Sequence, residues 1–340
     1  MSTQLAMMFE NFRFGFVENM IKFVKGTSMQ SKIHAATKNL LLSLLAVGVF
    51  LMVWSSVASQ IVTSLGNVPG PAQVWTQAVS LYDEHVEERQ REQAFIERQV
   101  KRNEAKLAKN PDAKVKIRPY TGKPTYLDQI WTSIYTVITG FLIASLIAIP
   151  VGIICGLSNN IYTAINPLIQ MFKPVSPLAW LPIVTMIVSA VYISDDPLFS
   201  KSYLNSAITV TLCCLWPTII NTTVGVSSID SDLVNVSRVL RLGWMTKVFK
   251  IVLPSSIPMM FAGLRVSLGI GWMVLIAAEM LAQNPGLGKF VWDEFQNGSS
   301  NSLARIMVAV FTIGLIGFLL DWMMLQLQRR VSWDKGATVR

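Results

Sequence analysis

Long apolar runs recur along the chain, and their length constrains the fold more than any other feature. An α-helix needs roughly 20 predominantly apolar residues to cross a bilayer. Six runs approach or exceed that length, at about 39–61, 130–156, 161–190, 203–226, 255–282 and 303–327. Only 14% of the 340 residues are charged, whereas about 25% is usual in a soluble domain. The pattern therefore predicts an all-α, polytopic membrane protein with six transmembrane helices.

Prolines interrupt the third of these runs. Pro174, Pro177 and Pro182 all lie within 161–190. A helix that breaks at membrane depth leaves backbone groups without partners, and these are tolerated only against protein or a water-filled cavity. We therefore expect this run to line a pathway through the membrane.

Lysine and arginine are distributed unevenly between the loops, which predicts the orientation. Residues 1–38 carry five of them, the 227–254 loop four and the tail after 327 four, whereas the short loops 191–202 and 283–302 carry one each. Basic loops stay in the cytoplasm. Both termini and the 227–254 loop are therefore expected to be cytoplasmic. Orientation also accounts for the net charge of +9 better than nucleic-acid binding does.

Besides the first predicted transmembrane helix at 39–61, three segments lie outside the predicted permease core at 129–328. In residues 1–38, phenylalanine and methionine interleave with basic residues, which predicts an amphipathic helix on the cytoplasmic surface; a disordered tail is the alternative. Residues 67–128 carry eleven Lys/Arg and nine Asp/Glu, with pairs such as Glu87–Arg91 that favour a solvated helix. We interpret this segment as an extracytoplasmic helical insertion, either a spacer or a binding site. Residues 329–340 are predicted to form a cytoplasmic tail.

The loop between the fourth and fifth runs has the pattern of a helix, a turn and a return to the membrane. Apolar residues recur at helical spacing from Leu233 to Leu240, and Asp230 or Ser231 can cap the start. Gly243 stands where a left-handed residue is expected to stop the helix. A surface helix that merely connects two spans would have the same pattern, so spacing alone leaves its role open.

This loop and several other segments resemble the membrane subunits of ABC importers. The cytoplasmic loop of those subunits has the form EAA-x3-G-x9-I-x-LP. Aligned on Ile251, Leu253 and Pro254, this chain departs from EAA with Asn235, Val236 and Ser237 and places Arg241 at the glycine position. Three further segments, "NVPGPAQVW", "KPVSPLAWLPI" and "AAEML…GLGKFVWDEF", are similar to those of the nitrate, bicarbonate, sulfonate and taurine branch, above all nitrate permeases. The resemblance covers about 60–75 and 125–330.

The resemblance implies a type I permease fold in a bacterial cytoplasmic membrane. It implies a homodimer of permease copies with two cytoplasmic ATPase subunits, which bind ATP and magnesium, and an extracytoplasmic substrate-binding protein. It further implies import of a small inorganic anion, nitrate or nitrite. Bicarbonate, cyanate or an alkanesulfonate such as taurine is the alternative within the branch, and a passive anion channel is the alternative from another class. The residues it assigns to ATPase coupling are Asp232, Asn235, Val236, Ser237, Arg238, Leu240, Arg241 and Gly243.

The sequence shows no nucleotide-binding or hydrolytic motif. It lacks GxxxxGK[ST] and GxSxG, and its two histidines, His34 and His85, fall outside the apolar runs. We therefore predict no catalytic site, no metal site and no cofactor in this chain, so that ATP hydrolysis belongs to a partner. The cysteines have no CxxC spacing and are interpreted as small buried residues; they are Cys155, Cys213 and Cys214.

Charged and strongly polar residues inside the apolar runs are candidates for a substrate pathway, because charge at membrane depth is costly. Five residues are singled out: Asn166, Gln170, Lys173, Arg265 and Glu279. The first three form one stripe at i, i+4 and i+7. The alternative for the arginine is a bond to a carbonyl or carboxylate of a neighbouring helix. Two further charges near the ends of runs, Arg305 and Asp321, are expected to extend toward the membrane surface.

Two series of small residues predict close helix packing. Gly263, Ser267 and Gly271 share one face of the fifth run. A second series follows i+4 spacing along the second run: Gly140, Ala144, Ala148 and Gly152.

Overall fold

The computed structural model describes residues 37–38, 41–58, 60–63, 66–110, 115–193, 198–299 and 301–331. The predicted amphipathic helix in residues 1–38 and the cytoplasmic tail at 329–340 therefore lie almost entirely outside the described residues. The chain divides into two compact units at Pro71. In the first unit, helix α1 (Leu41–Ala58) is long and apolar enough to cross a membrane. Strands β1 (Val62–Thr63) and β2 (Gly66–Asn67) follow it as a short antiparallel pair.

The regular secondary structure of the second unit is entirely helical among the described residues, and α2 begins at the boundary. Its elements are α2 (Pro71–Lys109), α3 (Tyr126–Leu157), α4 (Asn159–Phe172), α5 (Pro177–Val191), α6 (Lys201–Ser227), α7 (Ser231–Val239), α8 (Trp244–Lys247), a π-helical segment (Val248–Val252), α9 (Leu253–Ala282), α10 (Leu287–Asn297) and α11 (Ser302–Val331). The segment from α8 through α9 is continuous, and it joins α3, α6 and α11 as helices long and apolar enough to cross a membrane.

The third predicted span is bent instead of straight. Helices α4 and α5 together have the composition of a span but meet at 99°. Pro177 is the first residue of α5, where its missing N–H leaves no hydrogen bond unmade. Ser176 caps this helix by accepting the Leu178 N–H at 3.3 Å. The expected break near Pro174 is confirmed, whereas the predicted interruption at Pro182 is wrong, because α5 continues through that residue.

Helices α3 and α6 pack closely along the predicted small-residue series of α3. The Thr211 hydroxyl of α6 donates to the Gly140 carbonyl at 3.1 Å, and twelve residues further along both helices Thr223 donates to Gly152 at 3.3 Å. A β-carbon at Gly152 would lie 2.6 Å from Thr222 Cβ. The packing role predicted for this series is confirmed.

The small-residue face of α9 packs on α6. Ser267 donates its hydroxyl to the Cys214 carbonyl at 2.7 Å, and the Cys214 thiol lies 3.3 Å from the Ser267 carbonyl. Gly263 and Gly271 leave no room for a β-carbon against α6. The three cysteines are free and buried, as the interpretation of them as small buried residues requires. Helices α3, α6 and α9 thus form the centre of the second unit.

Candidate functional site

The loop between α6 and α9 presents a short capped helix to solvent. Asp230 begins α7 by accepting the Asp232 N–H at 3.0 Å, as predicted. Within the loop, Leu240 is 63% exposed, Trp244 56% and Phe249 64%. Apolar side chains this exposed, interleaved with basic residues, are typical of a surface that another protein covers. Of the eight residues assigned to coupling, Ser237 is buried and the other seven are exposed: Asp232, Asn235, Val236, Arg238, Leu240, Arg241 and Gly243.

Helix α7 ends in a left-handed turn at Arg241. The Leu242 N–H donates to the Ser237 carbonyl and the Arg241 N–H to the Arg238 carbonyl, both at 3.0 Å. These two bonds define a Schellman motif, which requires a left-handed residue at the position of Arg241, and its φ is 48°. The prediction that Gly243 supplies this conformation is wrong, because Gly243 has φ −61° and ψ 158° and is the N-cap residue of α8. Arg241 therefore stands, strained, where the ABC importer loop pattern has glycine.

Two of the predicted pathway residues line a cavity between α3, α4 and α6. Asn166 and Gln170 contact each other at 3.4 Å and face a space of about 300 Å³. Its other polar lining residues carry no charge: Asn159, Tyr162, Thr223 and Ser227. Lys173, the third member of the stripe, is exposed at the end of α4 and lies outside this lining. The cavity thus offers amide and hydroxyl groups without a fixed charge.

Arg265 and Asp321 join α9 to α11. The arginine Nη2 donates to Asp321 Oδ2 at 2.6 Å, and its Nε donates to the other carboxylate oxygen, so that the contact is bidentate. Arg265 is therefore bound to a neighbouring carboxylate, which is the alternative that its sequence left open. The prediction that Asp321 extends toward the membrane surface is wrong, because its carboxylate is held by this pair.

Two further contacts flank this pair at seven-residue steps along α9. The Gln328 amide donates to the Pro258 carbonyl at 3.4 Å, and the Trp272 indole N–H donates to the Ile313 carbonyl at 3.0 Å. Because the i and i+7 positions of a helix share a face, the three contacts lie along a single seam between α9 and α11. We call these three contacts the α9–α11 seam.

Glu279 lies on the same face of α9, near the C-terminal end of that helix, and it contacts α10 instead of α11. Its carboxylate, which is fully buried, accepts the Gly288 N–H at 3.0 Å and the Ser133 hydroxyl at 2.8 Å. Ser133 in turn accepts the Leu287 N–H at 2.8 Å. Glu279 and Ser133 therefore satisfy the first two N–H groups of α10, which otherwise have no partner in the helix. Sequence reasoning missed Ser133, since a lone serine in an apolar run gives no periodic signal.

A second polar cluster ties α2 to the ends of α10 and α11. The Arg305 guanidinium binds Glu84 of α2 and donates to Glu294 of α10 at 3.3 Å. Arg89 of α2 donates to Asp128 of α3 at 3.0 Å. The predicted extension of Arg305 toward the membrane surface is thus replaced by contacts with two neighbouring helices.

The segment after α2 folds back along that helix. The Gln99 amide exchanges two hydrogen bonds with the backbone of Arg118, at 2.9 and 3.0 Å. Tyr120 donates to Glu88 at 2.8 Å, and this bond raises the pKa of Tyr120 above its ordinary value. The predicted insertion is thus a long helix with a return segment bound to it.

Residues 148–333 match the family described as binding-protein-dependent transport system inner membrane component. The chain belongs to this family. The match spans the bent pair of α4 and α5, the loop between α6 and α9 that contains α7 (the α7 loop) and the α9–α11 seam, whereas α2 lies outside it. The permease therefore carries its long polar helix as an addition to the matched core.

Curated relatives of the permease include three kinds of anion permease. It is 36% identical to the nitrate import permease protein NrtB of Synechococcus elongatus over 60% of this chain and 69% of the relative. It is also 36% identical to the bicarbonate transport system permease protein CmpB of the same organism, over 59% and 68%. A putative aliphatic sulfonates transport permease protein of Bacillus subtilis is 28% identical over 58% and 67%.

Solved structures confirm the type I permease fold. An inward-facing conformation of the MetNI methionine ABC transporter aligns with a TM-score of 0.53 at 13% identity, covering 61% of this chain and 96% of that one. The predicted fold and the suspected branch of ABC importer permeases are therefore both confirmed.

Proposed function

We propose that this permease is the membrane-spanning subunit of an ATP-driven importer of a small inorganic anion, nitrate or nitrite. The observation that carries the proposal is the α7 loop, whose left-handed residue falls at the glycine position of the ABC importer pattern. The turn places an exposed apolar and basic surface beside the re-entry into α9. Such a surface fits a groove on an ATPase subunit, which would transmit its motion to the spans.

The assembly that follows from this role has several partners. Two copies of the permease form a homodimer in the bacterial cytoplasmic membrane, with both termini in the cytoplasm. Two ATPase subunits bind ATP and magnesium and dock on the exposed residues of the α7 loops, with the buried Ser237 supporting them from below. The exposed residues are Asp232, Asn235, Val236, Arg238, Leu240, Arg241 and Gly243. A substrate-binding protein delivers the anion on the extracytoplasmic side.

Inside the membrane, the polar residues of the spans form the substrate pathway. A dehydrated anion needs donors or cations that replace part of its hydration. The amides at Asn166 and Gln170 are such donors, and Lys173 and Arg265 supply positive charge. Glu279 contributes to the same pathway indirectly, because its buried carboxylate holds the start of α10 against α9.

Nitrate is favoured by the similarity to nitrate import permeases, and bicarbonate is the second candidate because a bicarbonate permease is equally similar at 36% identity. Both anions are planar and present two oxygens to a guanidinium, so Arg265 suits either one. An alkanesulfonate is the third candidate substrate, and cyanate is the fourth.

Transport by the complete complex in proteoliposomes tests the proposal. Labelled nitrate, bicarbonate and an alkanesulfonate are offered outside, with ATP or a non-hydrolysable analogue at the ATPase side. We expect nitrate to accumulate against its gradient only with ATP. Anion flux that only follows the concentration gradient and does not depend on ATP would identify a passive anion channel instead. Accumulation of bicarbonate alone would show that bicarbonate, and not nitrate, is the substrate.

A further inference from the structure

The Arg265–Asp321 pair is a charged contact that remains partly open. A third of the Arg265 side chain and nearly half of the Asp321 side chain are exposed, at 33% and 45%. The pair is bidentate, with both carboxylate oxygens engaged. Arginine binds carboxylates in this way because its planar fork matches two oxygens at once.

The pair also lies deep within its helices. Arg265 is twelve residues from the start of α9 at Leu253, and Asp321 is ten residues from the end of α11 at Val331. Each helix has 30 residues and is about 45 Å long at a rise of 1.5 Å per residue. A hydrocarbon core of about 30 Å centred on these helices would therefore enclose Arg265 by about 10 Å and Asp321 by about 8 Å.

Charges at this depth rarely face lipid, because hydrocarbon supplies nothing in place of their hydration. The open side of the pair is therefore expected to face water or protein in the assembled complex. In the proposed importer, the water-filled passage between the two permease copies is such an environment.

Opening the pair would leave α9 and α11 joined. The Gln328–Pro258 and Trp272–Ile313 contacts hold the α9–α11 seam on either side of it. Arg265 can therefore exchange its partner without the two helices separating. A contact needed only to clamp the helices would duplicate what the flanking contacts already do.

We propose that Asp321 is a built-in competitor of the transported anion. It occupies Arg265 while the passage is empty, and a planar oxyanion displaces it from the guanidinium fork during transport. The inference rests on the proposed function and adds a specificity-determining residue to it. Because the Asp321 carboxylate is itself planar with two oxygens, only anions that offer a comparable pair of oxygens compete with it well.

Removing the competitor tests the proposal in the reconstituted complex. Asp321→Asn should lower KM for nitrate about tenfold if Asp321 occupies Arg265 for about nine-tenths of the time, and it should slow turnover because release is delayed. Arg265→Gln should abolish uptake, and the double variant should behave like Arg265→Gln. Gln328→Leu, which removes a neutral contact of the same seam, should leave KM unchanged.

Thermal unfolding provides a readout apart from transport. Asp321→Asn leaves Arg265 without a counter-charge, so its Tm should fall in anion-free buffer and recover when nitrate is added. Gln328→Leu should show no such nitrate-dependent recovery. If wild type accumulates nitrate but Asp321→Asn keeps the wild-type KM, or its lost Tm does not respond to nitrate, Asp321 is only a clamp. If wild type accumulates no anion at all, the proposed function fails, and this inference fails with it.

Discussion

The Glu279 carboxylate occupies the space that a β-carbon at Gly286 would need. Two residues further on, a β-carbon at Gly288 would overlap the Ile276 carbonyl oxygen. Both glycines thus allow α10 to begin directly against α9, with Glu279 and Ser133 satisfying its first N–H groups. The "GLG" segment that resembles nitrate-type permeases therefore has a structural reason, which is the close start of α10.

Replacing Glu279 tests this cap. Glu279→Ala removes the acceptor of the Gly288 N–H and of the Ser133 hydroxyl, and it should lower the free energy of unfolding by roughly 2 kcal/mol. Glu279→Gln keeps one acceptor oxygen and should cost less. Thermal and denaturant unfolding of the purified permease measures both. Glu97→Ala, at an exposed position of α2, is the matched control, and an equal loss in both alanine variants would contradict the cap.

Alanine at Gly288 should be tolerated worse than alanine at Gly314. The clash at Gly288 is with a backbone oxygen, which cannot rotate away, and overpacking of this kind costs about 1–3 kcal/mol. Gly314 of α11 has no heavy atom within 4 Å of the added carbon. Unfolding measurements on the two variants decide the matter, and a Gly288→Ala protein as stable as Gly314→Ala would show that α10 can shift.

The end of α7 gives different predictions for two nearby positions. Arg241→Gly should stabilise the turn by about 1 kcal/mol, because glycine adopts left-handed angles without a β-carbon penalty. Gly243→Ala should change little, since its φ is −61° and the site is open. Hydrogen exchange at the Arg241 and Leu242 amides reports the stability of the turn.

A second variant of Arg241 distinguishes its role in ATPase docking from its role in the stability of the turn. Asn tolerates left-handed angles but carries no charge, so Arg241→Asn keeps the turn and removes the cation. We expect a normal turn and weaker coupling of ATP hydrolysis to uptake. Normal coupling would show that the Arg241 charge contributes nothing to docking.

Loss of Arg305 should loosen α2. Arg305→Gln removes the cation shared by Glu84 and Glu294, and amide exchange around Glu84 should become about tenfold faster, as loss of roughly 1.5 kcal/mol of charge-assisted bonding implies. Arg102→Gln, at an exposed position of the same helix, is the control. If exchange in α2 is the same in both variants, the contacts from Arg89 hold the helix alone.

Sequence periodicity was sufficient for the spans and for their packing faces. Apolar length predicted the membrane helices, and the small residues at Gly152 and Ser267 predicted close contacts that the structure contains. These features are local, since each is set by neighbours along one helix. The capping of α7 by Asp230 is local in the same way.

Contacts between distant helices could not be predicted in this way. Arg265 and Asp321 were both recognised as charges in apolar runs, but periodicity does not say which two helices are neighbours. The left-handed turn was assigned to Gly243 because glycine adopts such angles most easily. The hydrogen bonds of the Schellman motif instead place it at Arg241, so that closure of the helix end outweighs the residue's own preference.

The three spaced contacts of the α9–α11 seam remove most of the freedom of these two helices. A slide by one turn, or a rotation of either helix about its axis, would break all three contacts together. We therefore expect α9 and α11 to move together as one rigid body when the permease changes conformation. The motion must then be absorbed elsewhere. Two described places depart from a regular α-helix and can act as hinges: the 99° bend between α4 and α5 and the wide turn of the π segment at Val248–Val252.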